Sequence, residues 1–159
     1  MFEITDSVVD EANELVKTTV HEMCKTLRKP YNDLPLPSGW KPKVKCVWSG
    51  KQKISYGGIN GITLAMKSII MQPNFVEYAS IDKDPTIGGF ETQDWRIRLK
   101  AVIAHELAHA AGQYIWIEKD RNPALLRTRH GRIDYVKAHG DGWRRIYALL
   151  RSTHVNQYI

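Results

Sequence analysis

The sequence predicts an α+β domain with an N-terminal helix, a small antiparallel sheet of three or four strands, and two later helices. Apolar residues recur at three- and four-residue spacing over 6–29 and over 93–117, which is typical of amphipathic helices. Between these segments, short runs rich in Val, Ile and Trp are separated by glycines, as in strands joined by turns. A last amphipathic run covers about 141–152. The length of 159 residues is that of a single domain.

The first predicted helix begins at a capping pattern and ends at a proline. Ser7 followed by Asp10 resembles a capping box, and Pro30 cannot continue a helix. The stretch 30–43, PYNDLPLPSGWKPK, holds four of the seven prolines and is predicted to be irregular.

Four short segments are predicted as strands. VKCVW (44–48) is rich in Val and Trp, and KISY (53–56) is expected to pair with it. The glycines of YGGINGITLAM indicate a tight turn that leads into a third strand at 62–66. SIIMQP (68–73) is predicted as a further strand because it is short, apolar and ended by proline.

The composition argues against several classes of protein. Cys24 and Cys46 lie far apart without a CxxC pattern, so neither a disulfide framework nor a zinc ribbon is expected. The acidic start has no signal-peptide pattern, and no apolar stretch approaches the ~18 residues of a membrane span. We expect an intracellular protein, in the cytoplasm, nucleoid or nucleus, that is monomeric and has no membrane partner.

The net charge of +6 is spread unevenly along the chain. Residues 118–159 carry nine Lys and Arg against four Asp and Glu, whereas residues 1–43 carry six against seven. A basic excess of this kind favours a polyanionic partner such as DNA. A solvated basic face without any ligand is the alternative interpretation.

The segment AVIAHELAHAAGQY (101–114) places two histidines on the second predicted helix. His105 and His109 are four residues apart and therefore neighbours on one helix face. Both imidazoles can reach one zinc ion at about 2.0–2.1 Å. Glu106 lies ~100° further round the helix, where it would act as general base on a water molecule at the metal's open position. The segment therefore predicts a site for one Zn²⁺ per chain.

A catalytic zinc site needs a third protein ligand. His139 and His130 are each followed by glycine, but His139 leads directly into the last predicted helix, whose packing would hold it in place. His130 lies among arginines, whose charges would repel a dication. These residues favour His139 and leave His130 as the alternative. The carboxylates Glu118, Asp134 and Asp141 lie in no obviously inward-facing helical setting.

These motifs together resemble the SprT-like (Spartan-type) zinc metalloproteases. The resemblance is carried by HELAH on an apolar helix, by HG two residues before a tryptophan-led helix, and by the glycine-containing hairpin and the proline-ended short strand SIIMQP upstream of HELAH, over roughly 44–150. It implies a single zincin-like domain, here over 1–159. The chain departs from the family pattern in two ways: the spacing from His109 to His139 is longer, so 118–138 is predicted to be a basic insertion, and the zinc ribbon that often follows the protease domain is not expected here.

The resemblance also implies the chemistry and the partners. His105, His109 and His139 would be the zinc ligands and Glu106 the catalytic base of an endopeptidase. Its substrates would be proteins, including proteins bound or crosslinked to DNA. Without a zinc ribbon, DNA contacts would come from basic side chains of the domain itself: Arg121, Arg127, Arg129, Arg132, Lys137, Arg144 and Arg145.

Two other functions fit parts of the same pattern. A regulatory zinc peptidase that cleaves a specific repressor, of the ImmA/IrrE-like group, shares HExxH but takes a carboxylate as third ligand. A non-enzymatic DNA-binding module with a structural zinc would have no use for Glu106 between the two histidines.

Overall fold

A computed structural model describes residues 2–74, 90–115, 127–128, 131–132 and 139–158. The helices are α1 (Asp6–Leu27), α2 (Met66–Met71), α3 (Trp95–Tyr114) and α4 (Asp141–His154), with 3-10 turns at Pro30–Asn32 and Asn156–Tyr158. The strands are β1 (Val44–Val47), β2 (Tyr56–Gly58), β3 (Gly61–Ala65), β4 (Arg127–Thr128) and β5 (Gly131–Arg132). The α+β class is as predicted. None of the described helices is long and apolar enough to cross a membrane.

The main sheet is mixed, so the prediction of an antiparallel sheet was wrong in part. β3 lies in the centre, with β1 parallel to it on one side and β2 antiparallel on the other. The predicted pairing of 53–56 with β1 does not form. Only Tyr56 of that segment belongs to a strand, and the two-residue turn Ile59–Asn60 joins β2 to β3 instead. A two-residue turn between Gly58 and Gly61 closes this hairpin locally, without the longer connection that pairing with β1 would need.

The segment SIIMQP was wrongly predicted as a strand. Residues 66–71 form the short helix α2, in which Met66, Ile69 and Ile70 are buried. This spacing of three and four residues is helical. The two adjacent β-branched isoleucines favour a strand, so the segment was predicted as one.

Helix α1 begins slightly earlier than its predicted cap. Thr5 is the N-cap residue, and its side chain accepts a hydrogen bond from the backbone N–H of Val8 at 3.3 Å. Ser7 therefore lies inside the helix and does not cap it. The predicted apolar face is buried along the helix, from Ala12 to Leu27.

Helix α3 lies at the centre of the molecule. It contacts α1, α2, α4, β2 and β3. Asp94 caps its start by accepting a hydrogen bond from the backbone N–H of Arg96 at 2.9 Å. Alanines at 101, 104, 108 and 111 are fully buried together with Leu99, Ile103 and Leu107, so the helix is enclosed on most sides. A side chain on α3 can therefore be polar only where another group compensates it.

Helix α4 extends two residues beyond its predicted end. Its last residue, His154, has Nε2 2.7 Å from Oγ1 of Thr26 on α1. Burial lowers the pKa of His154. Within the basic segment 118–138, the structure describes only β4 and β5, which pair antiparallel. The interpretation of this segment as an insertion remains a prediction.

Candidate metal centre

The two histidines of α3 lie one helical turn apart and converge. Nε2 of His105 is 3.3 Å from Nε2 of His109, and the ring centroids are 5.0 Å apart. Both residues are half-buried on a helix whose neighbouring positions are buried. The helical placement expected from the HELAH motif is therefore present.

His139 joins these two histidines from the other side. It precedes α4, and its φ of 58° places its backbone in the left-handed region, which few non-glycine residues adopt. Its Nε2 lies 3.2 Å from Nε2 of His105. One ring nitrogen from each of the three histidines lies within 4.8 Å of the others. His105, His109 and His139, called the histidine triad below, can hold a metal ion.

The spacing within the histidine triad fits tetrahedral coordination. Nitrogens bound at 2.0–2.1 Å in a tetrahedral site lie about 3.3–3.4 Å from one another. The two Nε2–Nε2 distances from His105, 3.3 and 3.2 Å, are close to that value. Nε2 of His105 can donate at most one proton, so it cannot serve both neighbours as a donor. A cation between the three nitrogens would satisfy all of them at once.

The histidines are also in the protonation state that a metal requires. Burial, followed by the charges of His109 and His139, lowers the pKa of His105 to about 3. Burial, followed by the charge of His139, lowers the pKa of His109 to about 4. Burial lowers the pKa of His139 as well. Neutral imidazoles offer a free nitrogen lone pair, which is the form that binds metal.

Glu106 is a buried carboxyl group beside the histidine triad. It is 5% exposed, and burial raises its pKa to about 7. Its Oε1 lies 3.7 Å from Nε2 of His105. Its Oε2 is buried and has no hydrogen-bond partner within the described part of the chain. Buried polar atoms without partners are uncommon, and a water molecule, an ion or a ligand commonly completes them.

Trp143 forms a wall against which all three histidine rings pack. Its ring centroid lies 4.5 Å from that of His139, 4.9 Å from His105 and 5.4 Å from His109. The indole N–H donates to the backbone carbonyl of His105 at 3.2 Å. Tyr147, one turn further along α4, stacks on Trp143 with ring centroids 4.6 Å apart and lies 5.6 Å from the ring of His105. The sequence predicts that packing of the last helix holds His139 in place, and Trp143 provides this packing. The contacts of Trp143 with His105 and His109 were not predicted.

Strand β2 lies directly against the turn of α3 that carries His105, Glu106 and His109. Gly57 faces the backbone of Glu106 so closely that a Cβ atom would overlap its carbonyl oxygen. Next to it, the side chain of Gln113 on α3 accepts a hydrogen bond from the backbone N–H of Ile59 at 2.9 Å. The hairpin is thus held on the helix that carries the triad. Sequence reasoning placed the glycines in a turn and did not identify this contact.

Several predicted site residues are not placed in the triad. His130, Arg121, Arg129 and Lys137 lie outside the described residues, and for Arg127 and Arg132 the structure describes only the backbone, in β4 and β5. Arg144 is half-buried on α4. Arg145 is exposed, and its guanidinium donates to the backbone carbonyl of Asn32 at 3.1 Å. A shared DNA-binding face made of these residues stays a prediction.

Comparison with known proteins identifies no relative of this chain: no protein-family model, no curated protein and no solved structure matches it.

Proposed function

We propose that this protein is a zinc-dependent endopeptidase of the SprT-like type. The observation that carries the proposal is the convergence of His105, His109 and His139 beside the buried carboxyl of Glu106. In a hydrolytic zinc site, three neutral histidines can be the protein ligands, and a nearby carboxyl that is not a ligand acts on the water. The family resemblance, which rests on HELAH and AHGDGW, points to the same activity.

Each of the three histidines would contribute Nε2 to the zinc ion. When bound, zinc polarises the scissile carbonyl and makes water a stronger nucleophile near neutral pH. Three protein ligands leave a fourth position for substrate and water, as catalytic sites require. The Trp143 wall would hold the rings in their converging orientation, because each of them packs on the indole.

Glu106 would move the protons of the reaction. Its free Oε2 provides an acceptor with no competing partner in the described structure, so a water molecule can donate to it. After attack on the carbonyl, the protonated carboxyl can pass the proton to the leaving amine. Packing of Gly57 against the backbone of Glu106 limits movement of the turn that carries this side chain.

The histidine donor set favours this function over the alternatives. The regulatory repressor-cleaving peptidases take a carboxylate as third ligand, whereas His139 occupies that position here. A purely structural zinc site would leave the buried Glu106 carboxyl without a purpose, at a cost in stability. The substrates that the resemblance implies are proteins, including those bound or crosslinked to DNA.

Replacement of Glu106 by Gln tests the assignment of the base. Purified wild-type protein should contain about one zinc per chain and cleave an unfolded protein substrate or a DNA-crosslinked one. Glu106→Gln keeps the shape of the side chain, so zinc content should be unchanged while the cleavage rate falls by roughly 10²–10⁴-fold. Metal analysis and a gel-based cleavage assay provide the two measurements.

His109→Asn is the matched control, because it should lose zinc and cleavage together. Wild-type protein that binds no zinc would contradict the proposed metal. Full cleavage by the Glu106→Gln variant would remove Glu106 from the role of base.

A further inference from the structure

A second basic region lies in the part of the chain that forms the main sheet. Residues 34–74 contain six lysines and no arginine, aspartate or glutamate: Lys41, Lys43, Lys45, Lys51, Lys53 and Lys67. All six are exposed. Within the described part of the chain, none of them forms an ion pair with a carboxylate. The net charge of +6 over this segment exceeds the +5 of residues 118–159.

Part of this charge is arranged in a row on the outer face of the sheet. Ile62 and Leu64 of β3 are buried in the core, so Thr63 between them points to the opposite face. Lys45 of β1 and Tyr56 of β2 are the strand neighbours of Thr63 on either side. The three side chains therefore form a row across the outer face, in which Tyr56 is 58% exposed and Thr63, between the two longer side chains, is 8% exposed.

Lys43 extends this row along the sheet. Its carbonyl accepts a hydrogen bond from the backbone N–H of Ile62 at 2.8 Å, so the ladder of β1 and β3 continues to this residue. Lys43 and Lys45 are two residues apart and therefore lie on the same face, about 6.6 Å from each other along the strand. The outer sheet face, as the name is used below, consists of Lys43, Lys45, Thr63 and Tyr56.

Two open cavities lie beside the outer sheet face. One cavity of about 380 Å³ is lined by Lys43, Lys45 and Tyr56, among others. A second cavity of about 350 Å³ shares the lining residues Lys43 and Asn60 with it and is also lined by Tyr114 of α3.

We propose that the outer sheet face binds single-stranded nucleic acid, with Lys43 and Lys45 at phosphates and Tyr56 stacked on a base. Two neighbouring lysines, neither of them paired with a carboxylate of the described residues, complement a polymer whose negative charge repeats at every unit. An exposed aromatic ring beside such a row provides a surface for an unpaired base. Duplex DNA keeps its bases inside, and an acidic polypeptide has no base to stack, so Tyr56 distinguishes a single strand from both.

Fluorescence anisotropy with a labelled 20-nucleotide DNA of mixed sequence tests this surface in the full chain at several salt concentrations. Lys43→Gln with Lys45→Gln should reduce the slope of log K against log salt by about 1.4, since each phosphate contact on a single strand contributes ~0.7. Tyr56→Ala should weaken binding by roughly 5- to 150-fold, the range expected for one stacked base. Tyr56→Phe keeps the ring and should bind like wild type.

Lys17→Gln with Lys25→Gln is the matched control, because it removes the same charge from the exposed surface of α1. This control variant should leave the slope of log K against log salt unchanged. If the slope falls equally in the control variant and in the Lys43→Gln, Lys45→Gln variant, general charge attraction explains the binding and the proposal is overturned. A 20-base-pair duplex or poly-glutamate that binds as tightly as the single strand, with no effect of Tyr56→Ala, would overturn the assignment of the ligand. Because the assay measures binding only, its failure would leave the proposed peptidase activity untouched.

Discussion

His139 combines a metal-binding ring with an unusual backbone conformation. Among the described non-glycine residues, only Asp33 shares its positive φ, and both have a value of 58°. The left-handed region costs a non-glycine residue of the order of 1 kcal/mol. The conformation points the ring towards His105 at the start of α4, so a site that needs this ring explains why the strain is kept.

Substitution of His139 by Asn should remove the metal-binding ring and keep the left-handed backbone conformation. Asparagine enters the left-handed region more readily than most residues, so the turn before α4 should persist. Loss of one of three ligands should weaken zinc binding by more than about 100-fold, which exceeds the effect of losing a group that only supports a ligand. Competition with a chromogenic chelator measures the affinity directly.

His130→Asn is the control that decides between the two sequence-predicted ligands. It should keep the affinity for zinc, because the triad is complete without it. If His130→Asn loses zinc while His139→Asn retains it, the third ligand has been assigned to the wrong histidine.

Among the elements, the contact of β2 with α3 positions the site most directly. Gly57→Ala would place a methyl group against the rigid backbone at Glu106, so strand and helix must separate. Overpacking of this kind should lower the free energy of unfolding by roughly 1–3 kcal/mol. Gly39→Ala, where a Cβ meets no atom within 4 Å, should change it by less than about 1 kcal/mol. Urea unfolding of both variants measures the difference. Equal free energies of unfolding for Gly57→Ala and Gly39→Ala would show that β2 does not pack tightly against α3.

The two long helices were predictable for different reasons. Buried residues recur at helical spacing along the 22 residues of α1, whereas α3 is buried on most sides and is marked by an apolar segment too long for a strand. Helix α2 is only six residues long, so its spacing competes with the β propensity of Ile69 and Ile70. The parallel pairing of β1 with β3 was not predictable, because it depends on a contact between segments separated by β2.

Within the site, local residues were predictable and their mutual packing was not. His105 and His109 converge because helical spacing is a local property, whereas the approach of His139 depends on how α4 docks on α3. The Trp143 wall and the contact at Gly57 depend on how α4 and β2 dock, which no local pattern specifies. The lysine row was not predicted, because the uneven charge of the chain points first to the basic residues of 118–159.

At the scale of the whole molecule, the histidine triad connects two helices that otherwise meet through the core. His105 and His109 belong to α3, and His139 precedes α4. Trp143, Ile146 and Leu150 of α4 are buried against the rest of the core, so the helices already pack without a metal. A bound ion would add a connection at one end of this interface, and it would do so only in the folded chain, where the three rings converge.

Zinc should therefore raise the melting temperature of the protein. A ligand that binds only the folded state at 1,000 times its Kd stabilises that state by about 4 kcal/mol. For a chain of this size the gain corresponds to roughly 8–16 °C, because 1 kcal/mol shifts the melting temperature by about 2–4 °C. Differential scanning calorimetry of chelator-treated protein, with and without added zinc, measures the shift. His139→Asn should shift by no more than roughly 3–6 °C, since an affinity lowered by more than about 100-fold leaves zinc at about ten times Kd or less, which stabilises the folded state by at most about 1.4 kcal/mol. A shift of equal size in that variant would mean that zinc stabilises the fold at some other place.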